Sequence, residues 1–151
     1  MKKLLVASAV AIASFGSLHA QSGVELGANL GPTMGLSLKY RFSQEHAFEG
    51  VAGYNVQHNG PSFKFMYQYH IALVDALSLY FGGGMNIGGY HLNNNKHYHD
   101  GDFAIGIVPT VGLDYKFRGA PVSFGFGYEP AINFTTCDTW NDVAFKIRYR
   151  F

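Results

Sequence analysis

The sequence has a single cysteine, Cys137, so no internal disulfide framework holds the fold. Charge of one sign is missing as well. The 151 residues carry 11 Lys plus Arg against 10 Asp plus Glu, which leaves no basic surplus for nucleic acid and no polybasic face for anionic lipid. Beyond residue 20 there is no apolar run of the roughly 20 residues that a membrane-spanning helix requires. The run Gly82-Gly83-Gly84-Met85-Asn86-Ile87-Gly88-Gly89 lacks the Lys-Ser/Thr that completes a phosphate-binding loop, and it sits in an alternating stretch, which excludes that reading. What the chain does have is a length suited to one domain, 48% apolar residues, 13 Phe, 10 Tyr and 19 Gly. A soluble core of this length cannot hide so many aromatics, whereas a barrel facing lipid displays them.

The N-terminus reads as a secretory signal peptide. Met1-Lys2-Lys3 is basic, Leu4 to Phe15 is apolar with only Ser8 and Ser14 intruding, and Ser17-Leu18-His19-Ala20 closes the segment. Cleavage is expected after Ala20, although Leu18 at the minus-three position is bulky. Residues 1–20 are thus assigned to the signal and 21–151 to one barrel domain. No cysteine follows the cut, which argues against a lipoprotein anchor. Losing Lys2 and Lys3 takes the bases from 11 to 9 against 10 acids, a mature charge near −1.

Period-two alternation runs along almost the whole remaining chain. Val24, Leu26, Ala28 and Leu30 alternate with Glu25, Gly27 and Asn29; Leu36, Leu38, Tyr40 and Phe42 alternate with Ser37, Lys39 and Arg41. The cleanest segment sets Phe63, Phe65, Tyr67, Tyr69 and Ile71 against Lys64, Met66, Gln68 and His70. Similar segments begin near Phe48, Leu77, Phe103, Val122 and Val143. A chain without spanning helices can cross lipid only as a closed barrel, because every backbone polar group must be paired internally. The expected fold is therefore all-β: a closed antiparallel eight-stranded transmembrane β-barrel with up-and-down topology. A soluble sandwich would place polar residues outside; here Lys, Arg, Glu and Asp share one face of the strands and aromatics the other.

The connections at Ser43–Glu45, Val74–Ala76 and Phe117–Pro121 suit short periplasmic turns. Those at Gly31–Gly35, His58–Ser62, His91–Asp102 and Thr135–Asn141 then face outward, and the first is shorter than an outer loop usually is. Eight strands enclose a lumen just wide enough for side chains to fill. Inward-facing Glu25, Lys39, Arg41, Glu49, Asp114, Lys116, Arg148 and Arg150 are expected to form a charge network that plugs it, with Glu25 and Glu49 pairing to Arg41, Arg148 or Arg150.

The final segment, Val143-Ala144-Phe145-Lys146-Ile147-Arg148-Tyr149-Arg150-Phe151, alternates throughout and ends on phenylalanine. It resembles the assembly signal of outer-membrane barrels, with Tyr149 and Phe151 in the aromatic positions that engage the insertion machinery. The mature chain is similar to the small eight-stranded families that include outer-membrane protein X and the membrane part of outer-membrane protein A. Its stretch Gly112 to Val122 resembles the penultimate hairpin of small Bacteroidetes-type barrels. The resemblance implies a monomer in the cell outer membrane, in contact with outer-membrane lipid and lipopolysaccharide and handled by the barrel-assembly machinery. It further implies a role in envelope integrity, adhesion or surface interaction, with no cofactor and no catalytic residues.

A lipid A or phospholipid-modifying enzyme would need a histidine, a hydroxyl and an acid together; His58, His70, His91, His97, His99, Asp100 and Asp102 are the candidates, but no spacing assembles the set. A narrow channel or ligand conduit is the other alternative. His97, His99 and Asp100 have the residue types for a divalent metal, although a solvated loop explains them more simply. Pro109 and Pro130, on lipid-facing positions, interrupt any strand ladder and are candidate marks of a lateral opening. Trp140, Tyr128, Tyr54 and Tyr69 read as an interface girdle.

Overall fold

The computed structural model describes residues 23–90, 102–135 and 137–151. The expected signal peptide and the segment carrying His91, His97, His99 and Asp100 lie outside them. The strands are β1 (Gly23–Leu30), β2 (Thr33–Arg41), β3 (His46–Asn55), β4 (Gly60–Val74), β5 (Leu77–Tyr90), β6 (Asp102–Lys116), β7 (Val122–Tyr128), β8 (Ala131–Asn133), β9 (Asp138–Trp140) and β10 (Val143–Arg150). All pairings are antiparallel, each strand from β1 to β7 pairs with the next, and β10 pairs with both β7 and β1. The sheet is therefore closed, as the alternation predicted.

The ten segments make an eight-stranded wall because two pairs of segments each continue one line. Val111 faces Tyr128 and Ile107 faces Ile132, so the register runs unbroken from β7 into β8. The same holds from β9 into β10, with Trp140 opposite Ala131 and Val143 opposite Tyr128. Counting inward from those pairs, Pro109 stands directly opposite Pro130. Neither proline has an N–H to donate, and the ladder between them is interrupted at this level without any slip of register. The Glu129 N–H still donates to the Asp142 carbonyl at 2.8 Å, which holds β7–β8 to β9–β10 beside the gap.

This continuity changes one expected loop. The expected connection Thr135–Asn141 is shorter than the alternation suggests, because Asp138–Trp140 is strand and pairs with Ala131–Asn133. The outer rim is uneven as a result. β1 and β2 stop at the tight Gly31-Pro32 turn, while β4, β5 and β6 run to 14 or 15 residues, longer than the roughly 9–11 that cross a bilayer. At the opposite rim the two-residue turn Asp75-Ala76 joins β4 to β5. In the turn after β6, Gly119 has φ +88, a conformation other residues adopt only with strain.

Side chains sort by parity. Leu36 and Phe65 are 65% and 60% exposed on the outer face, whereas Glu49 and Lys146 inside are both fully buried. Such an apolar exterior over a polar interior is the inverse of a soluble protein. Near the rim that carries both chain ends, outward aromatics pack on one another: Phe42 on Phe48 at 5.3 Å, Phe48 on Phe65 at 5.6 Å, and Tyr149 on Phe151 at 5.2 Å.

Candidate functional site

The lumen holds the chemistry of this protein. Five carboxylates (Glu25, Glu49, Asp114, Glu129, Asp142) and five cations (Lys39, Arg41, Lys64, Lys146, Arg148) form one connected chain of ion pairs. It begins where Arg41 Nε donates to Glu25 at 2.9 Å and Arg41 Nη2 to Asp114 at 2.9 Å. Lys39 Nζ reaches the same Asp114 at 2.5 Å. Arg148 then bridges Asp114 (Nη1, 3.0 Å) and Glu49 (Nη2, 2.5 Å). Lys146 joins Glu49 at 2.9 Å to Glu129, and Lys64 joins Glu129 at 3.5 Å to Asp142 at 2.5 Å.

Neutral groups complete the network. Ser37 Oγ donates to Glu49 at 2.7 Å, Gln68 Nε2 donates to Glu49 at 2.5 Å, and Ser123 Oγ donates to Glu25 at 3.0 Å. Buried charge is tolerated only when paired and hydrogen-bonded, and Glu49 accepts from Ser37, Gln68, Lys146 and Arg148 together. Two glycines make the room. A Cβ at Gly125 would lie 2.8 Å from Asp114 Oδ1 and 3.1 Å from Arg148 Nη1, so the Asp114–Arg148 pair occupies the space that glycine leaves. Gly127, facing Gly112 across β6 and β7, leaves the place into which Tyr80 extends.

Of the residues singled out from sequence, Glu25, Lys39, Arg41, Glu49, Asp114 and Arg148 come together in this network. Lys116 and Arg150 also point inward but form no ion pair among the described residues. Lys64, Glu129, Lys146 and Asp142 belong to the network and were not singled out. The first three were visible as inward positions; Asp142 falls between the expected Thr135–Asn141 loop and the strand expected from Val143. His70 joins too, with Nε2 3.2 Å from Asp114 Oδ2.

Polar and apolar groups interleave through the rest of the lumen, with Met66 opposite Glu49 and Val51 opposite Lys64. Ser62 Oγ donates to Asn86 at 3.0 Å, and Asn86 Nδ2 donates to Asn133 at 3.2 Å. Val51, Met66, Ala104, Val108, Ala131 and Trp140 form the one buried apolar cluster of the described residues. Trp140 is a correction: it is 4% exposed, points inward from β9, and stacks on the His58 ring with centroids 4.0 Å apart. It caps the lumen and takes no part in an interface girdle, because β9 continues the inward parity of β10. Tyr54 and Tyr128 do face outward. His58, in the loop between β3 and β4, is held below the ordinary histidine value by burial, opposed by the charge of Asp138.

Among the described residues no serine or threonine hydroxyl hydrogen-bonds to a histidine, and no group of three His, Cys, Asp or Glu side chains is arranged to hold a metal ion. His97, His99 and Asp100 lie outside those residues.

No protein-family model matches the chain, and no curated protein matches it in sequence. Solved structures do match in fold. The N-terminal β-barrel domain of Pseudomonas aeruginosa OprF superposes with a TM-score of 0.61 at 13% identity, over 86% of this chain and 96% of that one. The attachment invasion locus protein Ail of Yersinia pestis, solved with the heparin analogue sucrose octasulfate, gives 0.60 at 14% identity, over 86% and 97%. A de novo designed transmembrane β-barrel gives 0.59 at 13% identity, over 85% and 95%. This chain has the fold of the small eight-stranded outer-membrane β-barrels.

Proposed function

We propose that this chain resides in the outer membrane as a monomeric barrel whose lumen is closed by its own side chains, and that it serves the envelope or its surface without catalysing a reaction. The observation that carries the reading is the single chain of ion pairs from Glu25 to Asp142, capped by Trp140 over His58. A hydrated pore needs a continuous water path, and ion pairs that cross the lumen, as from Lys39 on β2 to Asp114 on β6, support its being blocked in a barrel this narrow. Each carboxylate of the chain is paired with at least one cation, an arrangement that suits a structural filling rather than a catalytic acid or base.

The exterior supports the same reading. The apolar outer face suits lipid and lipopolysaccharide acyl chains, and Tyr149 and Phe151 present an edge-to-face aromatic pair at the end of the last strand for the assembly machinery. The test is potassium efflux from vesicles containing folded protein. Retention of potassium comparable to protein-free vesicles is the expected result; release that scales with the amount of inserted protein would refute it.

A further inference from the structure

The end of the lumen that carries both chain termini holds cations that no carboxylate of the described residues pairs with. Arg41, Lys116 and Arg150 are respectively the last residues of β2, β6 and β10, three strands that end at the same rim. They point inward from alternate strands, separated by β1 and β7. Glu25 on β1 lies between two of them and is the register partner of Arg150. Its oxygens accept from Arg41 Nε at 2.9 Å and Ser123 Oγ at 3.0 Å, and it makes no ion pair with Arg150. Arg150 has no ion pair among the described residues, and its Nε is buried without a hydrogen-bond partner. Arg41 Nη1 is in the same state, on a side chain only 9% exposed. Lys116 makes no ion pair among the described residues and lies in the field of both arginines as well as of Glu25 and Asp114.

The surplus is local. Inward-facing bases number seven (Lys39, Arg41, Lys64, Lys116, Lys146, Arg148, Arg150) against five acids, a lumen charge of +2, and both unmatched charges, Lys116 and Arg150, lie at this rim. The chain beyond the expected cleavage point is near −1, from 9 bases and 10 acids, so the lumen does not merely mirror the composition. Burying guanidinium nitrogens without acceptors is costly, and an anion supplied from outside would remove that cost.

We propose that this rim of the lumen is a binding site for a phosphate-type oxyanion. Arg41, Lys116 and Arg150 approach from three sides, which suits the several oxygens of a tetrahedral anion better than the two coplanar oxygens of a carboxylate. The +2 surplus matches a phosphate monoester or inorganic phosphate, and a phospholipid headgroup of the adjoining leaflet presents the same oxygens.

The test uses the folded full barrel in a maltoside detergent, which carries no phosphate, titrated calorimetrically with inorganic phosphate. Wild type should give a saturable heat. Lys116→Gln/Arg150→Gln should bind about tenfold more weakly or worse, as expected when charge-assisted hydrogen bonds are lost. Arg118→Gln should bind as wild type, because Arg118 lies exposed at the same rim and pairs with Asp75. Gel mobility before and after boiling verifies that each variant is folded; should the double variant fail to fold, each single variant is titrated instead. Mass spectrometry of protein taken from membranes distinguishes the two sources. Phospholipid retained by wild type and lost by the double variant identifies a headgroup; phosphate binding without retained lipid identifies the free anion. No saturable heat from wild type, equal affinity in a folded Lys116/Arg150 variant, or an equal loss in Arg118→Gln would overturn the proposal.

Discussion

The Tyr80 hydroxyl lies where a Cβ on Gly127 would have to be. Tyr80 is fully buried, extends from β5 beneath Gly112 and Gly127, and carries the Lys39 ammonium 5.0 Å from its ring centroid. Its hydroxyl has no hydrogen-bond partner, so its ring volume and not its polarity is what the lumen uses.

Gly127→Ala should therefore destabilise the barrel by about 1–3 kcal/mol through overpacking. Tyr80→Phe should be close to neutral, since a buried hydroxyl without a partner contributes no bond. Tyr80→Leu combined with Gly127→Ala should cost less than the sum of the two single changes. Urea unfolding midpoints in lipid vesicles measure all four, and strict additivity would show that the two sites do not meet.

Arg148→Met should be among the most damaging single substitutions, costing about 3–5 kcal/mol, because it leaves Glu49 and Asp114 short of a buried counterion. Glu49→Met with Arg148→Met should lose less than the two singles added together, as each removes the other's unpaired charge. The same unfolding midpoints read the coupling.

Much of this architecture is legible in the sequence, and the failures have identifiable causes. Parity along β1 to β7 and β10 sorts every charged residue to its correct face, because one face meets lipid and one cannot. Parity says nothing about reach. Lys146 and Glu129 meet because β10 lies beside β7 and their side chains slant along the wall; recognising that needs the closed register. Trp140 was obscured because β9 is three residues long, Asp138–Trp140, too short for its parity to be read. Of the three arginines expected to pair with Glu25 and Glu49, Arg41 and Arg148 do so and Arg150 does not.

The stack of His58 on Trp140 should respond to pH. Burial holds His58 below its ordinary value of 6.5, with Asp138 pulling the other way. A histidine depressed in the folded state binds fewer protons there than when released. The stack is thus fully favoured above pH 6.5 and is lost as pH falls through the folded value. Trp140 is the single tryptophan, so its emission should shift to longer wavelength as the pH is lowered. His58→Phe should abolish that dependence. An emission maximum indifferent to pH in wild type, or an equal shift in His58→Phe, would contradict the stacked cap.

The gap between Pro109 and Pro130 should appear as a local weakness. Neither proline donates to the ladder, and β9 pairs with β8 alone. Amides of Ile132, Asn133 and Thr139 should exchange with solvent faster than those of Phe124 and Phe126, where β7 pairs on both sides. Uniform protection along the β7–β8 line would show that the gap has no dynamic consequence.

Planar-bilayer recording from purified, heat-modifiable protein tests the filled lumen most directly. With the ion chain from Glu25 to Asp142 intact, inserted barrels should leave the membrane current at its baseline. Steady, reproducible conductance steps whose number follows the amount of inserted protein would contradict a lumen closed by its own side chains.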